Sequence, residues 1–183
     1  MATATAPRAD ARWSAALEEH QVALAAYLDA GQTVSDAAWT QPWAPGKWSP
    51  AQITEHLAMV YRVFITEMTE GVGMRMKLTP FRRGVLRTLM LPHMLFHRTF
   101  PKAAPAPREV RPVAENLPSR TAALADLRAL GERFEHELSV ARASGRPGLT
   151  HPFFGVIDWN RGVRLAAVHL EHHTRQIASL ARR

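Results

Sequence analysis

Three of the chain's nine histidines fall within five positions, in the stretch His169-Leu170-Glu171-His172-His173-Thr174-Arg175-Gln176. On a helix turning about 100° per residue, His173 lies about 40° from His169, His172 about −60° and Gln176 about −20°. Leu180 falls on that side too, while Arg164, Glu171 and Arg175 fall on the opposite side, the one expected to face water. The histidine face is therefore the core face, an expensive place for imidazoles unless each finds a partner. The i, i+4 spacing of His169 and His173 brings two imidazoles toward one point from a single helix.

His56 repeats the anomaly. In Ile53-Thr54-Glu55-His56-Leu57-Ala58-Met59-Val60-Tyr61-Arg62-Val63-Phe64 it sits in the middle of the stripe made by Ile53, Val60, Val63 and Phe64, with Glu55 and Arg62 on the far side. Three neutral nitrogens with an open position form a catalytic metal geometry, whereas a structural zinc site is filled by four protein ligands. The order H-L-E-H-H is not the H-E-x-x-H of zinc proteases, so Glu171 does not hold their base position. The spacing alone fits two readings equally: a metal held by His56, His169 and His173, or a buried histidine and glutamine hydrogen-bond network. With no cysteine in the chain, any transition-metal chemistry must rest on His, Asp or Glu.

Four long helices are expected to position these residues. The first runs from about Ala9 to Ala30, with Trp13, Leu17, Leu24 and Leu28 on helical spacing and Gly31 as its stop. The second opens at Ser49-Pro50, where Gln52 completes a capping-box pattern, and ends near Glu70. The third starts near Leu117-Pro118-Ser119 and stops before Ser144. The fourth is capped by Asp158 and runs from Trp159 almost to the end. No segment shows sustained strand alternation, so the expected fold is all-α, a four-helix bundle in a single domain over 1–183.

Between helices two and three lies an insertion, about residues 71–118. The net charge of +7 belongs to it: residues 71–111 carry nine Lys or Arg and one acid, and the rest of the chain carries 14 bases and 15 acids. Its first half, from Phe81 to Phe100, is apolar and basic, with Pro92 expected to kink any helix. Its second half is Pro-rich and expected to be an extended strap. It also holds Met74, Met76, Met90 and Met94. A cover over one end of the bundle is the plain reading, and contact with a partner or, by 80–100, with a membrane surface the sharper one. The five tryptophans are expected to cap the bundle end, and His151, before the Pro152-Phe153-Phe154-Gly155 turn, to line a pocket. His20, His93, His97 and His136 have no ligand-like partners at helical spacing.

No run of 18 apolar residues signals a membrane span, and Met1–Arg12 lacks a signal-peptide core, so the expected address is the cytoplasm. Nucleic acid is not an expected partner, because the bases are not interleaved with aromatics or spread along a groove.

The stretches Trp43-Ala44-Pro45-Gly46-Lys47-Trp48-Ser49-Pro50 leading to Glu55-His56-Leu57, His151-Pro152-Phe153-Phe154-Gly155-Val156-Ile157-Asp158-Trp159 and His169 to Gln176 resemble, in that order, the DinB/YfiT-like superfamily. The Pro-rich Phe100-Pro101-Lys102-Ala103-Ala104-Pro105 resembles the connection in one branch of that group. The resemblance implies an up-down-down-up bundle, often a homodimer. It also implies a divalent ion, zinc or nickel first and iron or manganese next, held by His56, His169 and His173. His172 and Gln176 are candidates to shuttle a proton or orient a ligand. The implied activity is transfer of a low-molecular-weight thiol to an electrophilic small molecule, with the thiol brought by the cosubstrate. A metal-assisted hydrolase and a non-catalytic metal- or ligand-binding bundle are the alternatives.

Overall fold

In the computed structural model, residues 6–74, 76–101 and 106–180 are described. Arg75 of the basic segment, Lys102 to Pro105 of the strap and the side chain of Leu180 lie outside the described residues. The described residues are mostly helical, with one small two-stranded hairpin. The long helices are α1 (Ala6–Gln32), α3 (Pro50–Glu70), α6 (Arg120–Ala143) and α7 (Trp159–Leu180). A single turn, α2 (Asp36–Trp39), sits in the first connection. α1 packs along α7 and α3 along α6, with a further α1–α6 contact. Among the described residues no helix is long and apolar enough to cross a membrane.

Each long helix starts or packs for local reasons. Ser49 Oγ accepts from the Gln52 N–H (3.2 Å) and the Gln52 side chain accepts from the Ser49 N–H (3.0 Å), closing the capping box of α3. α6 is capped by Ser119, and Asp158 Oδ1 accepts the Arg161 N–H ahead of α7. Gly31 does not stop α1, which continues to Gln32. A Cβ at Gly31 would lie 2.7 Å from Leu124 of α6, so this glycine lets two helices approach rather than ending one. The inward stripe of α1 is Trp13, Ala16, His20, Ala23, Leu24, Tyr27 and Leu28, so it includes two polar side chains beside its aliphatic ones.

The expectation of no strand is corrected. β1 (Leu149–His151) pairs antiparallel with β2 (Gly155–Ile157), with Leu149 opposite Ile157 and His151 opposite Gly155. Three residues per strand are too few to show alternation in a sequence. The hairpin depends on Gly148, where a Cβ would lie 2.0 Å from the Ile157 carbonyl oxygen.

The insertion is more helical than expected. α4 (Pro80–Val85) runs through a π turn at Leu86–Met90 into α5 (Leu91–His97). Pro92 stands one residue beyond the wide turn, so the proline is absorbed by a local change of helix pitch and the segment stays helical across it. Leu91, Met94 and Leu95 are buried, and α5 lies against α7. After the strap, a 3-10 turn at Arg108–Val110 touches α3.

Candidate metal centre

α3 supplies His56, and α7 supplies His169 and His173 one turn apart. The Nε2 of His169 lies 3.2 Å from that of His56 and 3.0 Å from that of His173, and one ligand atom from each ring fits within 4.8 Å of the others. His56 and His173 are buried and His169 is half-buried.

The outward nitrogens fix how the inward ones are presented. His56 Nδ1 lies 2.6 Å from the Val110 carbonyl oxygen. A carbonyl only accepts, so the proton of neutral His56 is on Nδ1 and its Nε2 lone pair points inward. His173 Nδ1 donates to Gln176 Oε1 (2.8 Å), which likewise leaves its Nε2 lone pair inward. The Gln176 amide in turn donates to His172 Nε2 (3.1 Å). His169 Nε2 has one proton at most to offer two lone pairs. A network of neutral imidazoles therefore leaves lone pairs facing each other, whereas a cation among them satisfies all three. The donor set fits a divalent metal ion, with carbonyl and amide partners of the kind that orient metal-bound histidines.

Electrostatics keeps these rings neutral. Burial lowers the pKa of His56 and holds His169 and His173 well below the usual imidazole range; the mutual repulsion of the rings adds to this at His169 and His173. His172, half-buried, is lowered first by burial and then by Arg175. Neutral imidazole is the metal-binding form.

Around the triad stand aromatic rings. Trp48 lies 5.0 Å from His56, and Phe100 lies 4.9 Å from His169 and 5.6 Å from His172, centroid to centroid. His151 stacks on Phe154 (4.6 Å), and its Nδ1 accepts the Phe153 N–H (3.2 Å). Burial pushes its pKa down to about 3, and it is near enough to His169 for charge on it to disfavour charge there. His93 and His97 lie tilted against each other at 4.4 Å on the exposed side of α5, and His136 is exposed on α6, so neither position joins the triad.

Glu171 departs from the sequence expectation. It does not face open water but accepts the Arg98 Nε–H, shared between its two oxygens (2.8 and 3.0 Å), and an N–H of Nη2. Arg98 also reaches Glu19 of α1 (3.1 Å), and exposed Arg175 donates to the Arg98 carbonyl (2.6 Å). These carboxylates raise the Arg98 pKa, Glu171 contributing most. Arg98, at φ +49°, thus pins the end of α5 to α7 and brings Phe100 over the histidines. Sequence reasoning missed Val110, Trp48 and Phe100. Val110 contributes only its backbone, which leaves no side-chain signal, while Trp48 stands next to the Ser49 cap, where its place above His56 was within reach.

A helical protein with three histidines, two buried and one half-buried, converging from two helices is the class these features define. The chain belongs to the DinB superfamily, whose family model matches residues 16–177. Among curated proteins and among solved structures, none matches the chain.

Proposed function

We propose that His56, His169 and His173 hold a divalent metal ion, zinc or nickel first and iron or manganese next, and that the protein is a metal-dependent enzyme. Its favoured reaction is transfer of a low-molecular-weight thiol to an electrophilic small molecule. The observation that supports this most is the meeting of the three Nε2 atoms while the Nδ1 atoms of His56 and His173 are committed elsewhere. The ion would supply Lewis acidity, lowering the pKa of a thiol or water. In the transfer, sulfur bonds to carbon, the leaving group departs with its electron pair, and the thiol proton passes to a base. His172, half-buried with its ring 5.0 Å from that of His173, is the candidate for that base, and would take the proton at Nε2 in place of the hydrogen bond from the Gln176 amide. Gln176 orients His173, and the lack of cysteine leaves the nucleophilic sulfur to the cosubstrate. The long helices are read as the up-down-down-up bundle, working as a homodimer.

One observation favours a second reading. Phe100 and Trp48 cover the triad, as suits a bundle that binds a metal or small ligand without turnover. Elemental analysis of untagged protein and of His169→Ala tests the site. About one metal per chain in the wild type, lost in the variant, is expected. Folded wild type that takes up neither zinc nor nickel would sink the metal site. Metal-loaded protein inactive across a panel of thiols and electrophiles would leave the binding reading in place of the transferase.

A further inference from the structure

The helix Pro80–His97 carries apolar residues on both sides. Its inner side is docked through Leu91, Met94 and Leu95. Its outer side leaves Phe81 80%, Leu89 68% and Phe96 82% exposed, with Val85 exposed between the first two. A surface helix ordinarily turns charge outward, and phenylalanines this bare on one short helix need an occupant. The surrounding charge indicates which. Residues 71–108 hold eight Lys or Arg and no acid, and Lys77, Arg82 and Arg87 are exposed.

We propose that this face binds anionic lipid surfaces, with Phe81, Leu89 and Phe96 entering the headgroup and acyl boundary and Lys77, Arg82 and Arg87 meeting the headgroups. Apolar residues and bases along one helix, with Lys77 just ahead of its start, are what an interfacial anchor lying along the surface requires. The interruption expected at Pro92 does not apply, because the chain stays helical from Pro80 to His97. A second copy docked on this face would set bases against bases with no acid in the segment to offset them. A bilayer offers an apolar layer and anionic groups along the whole helix, about 27 Å at 1.5 Å per residue.

Flotation of the full chain with vesicles of phosphatidylcholine alone, and of phosphatidylcholine with phosphatidylglycerol, tests the proposal. Binding is expected only to the anionic vesicles, weakened by salt. It should fall about tenfold or more in the double variant Phe81→Ser/Phe96→Ser, and also in Arg82→Glu/Arg87→Glu. Both pairs are exposed, so an unchanged circular dichroism spectrum and metal content separate lost binding from lost fold. Three results would overturn the proposal: no binding to anionic vesicles, which with a dimer split by the phenylalanine variant would assign the face to a second copy; equal binding to neutral vesicles; or unchanged binding by the phenylalanine or the arginine variant.

Discussion

Among the described residues, His20 and the triad of His56, His169 and His173 have hydrogen bonds that differ in kind. His20, on α1, is closed at both nitrogens. Nδ1 meets Glu135 Oε1 of α6 at 2.6 Å, and Nε2 meets the Tyr61 hydroxyl of α3 at 2.7 Å. The phenol donates or accepts as the ring requires, so no lone pair is stranded. Glu135 is held further by Gln21 (2.8 Å), and Phe134 packs on both the His20 and Tyr61 rings. The cluster joins three helices and asks for nothing more. In the triad of His56, His169 and His173 the outward nitrogens of two rings are satisfied and the inward nitrogens face one another. A buried histidine is thus structural when its neighbours complement both nitrogens, and a ligand candidate when its neighbours are further lone pairs.

The largest effect that would sharpen this contrast is on stability. His20→Ala strands Tyr61 and Glu135 and leaves a cavity, which should cost about 2–4 kcal/mol. Urea unfolding of the metal-free variant measures the loss. Its metal content should match the wild type, and a parallel loss of metal would break the separation between the clusters.

Much of the site's frame was legible because its signals are local. The capping box at Ser49 and Gln52 and the cap at Asp158 set the starts of α3 and α7, and so fix the turns on which His56, His169 and His173 stand. The histidine faces followed from helical period alone. His20 carried the same signal, a polar ring on an apolar stripe, but its partners Tyr61 and Glu135 lie 41 and 115 residues away, and no local pattern pairs them. Glu171 was misplaced for a related reason. A helical projection gives a direction but not what docks there, and here the insertion brings Arg98 onto it. The hairpin was hidden by its brevity. A glycine that ends a helix and one that admits a neighbouring leucine look alike in one dimension, and Gly31 is of the second kind.

A smaller effect tests whether the partners of the triad matter as the contrast implies. Gln176→Leu keeps the bulk of the side chain and removes the acceptor that holds the His173 proton on Nδ1. Metal affinity should fall about tenfold, the low end for such orienting partners, with unfolding of the metal-free protein nearly unchanged. Competition against a chromogenic chelator reads it. Unaltered affinity would mean that the tautomer at His173 is set by something other than this amide.

The smallest effect lies in pH and probes His151, charge on which would disfavour charge on His169. His151 is held neutral by burial, with its pKa pushed down to about 3, against about 6.5 in the unfolded chain. Its folded value is the lower one, so the unfolded state binds the extra proton. The stability this neutral ring contributes is complete above about pH 6.5 and declines as pH falls toward 3. By pH 5.5 the loss is about 1 kcal/mol. The lowered values of His56, His169 and His173 act in the same direction in metal-free protein. His151→Gln removes one proton from that slope and should flatten the acid limb of stability in metal-free protein, measured by urea unfolding between pH 7 and about pH 5. An identical pH dependence in wild type and variant would show that His151 takes up no proton on unfolding, and that burial of this ring against Phe154 is not what keeps it neutral.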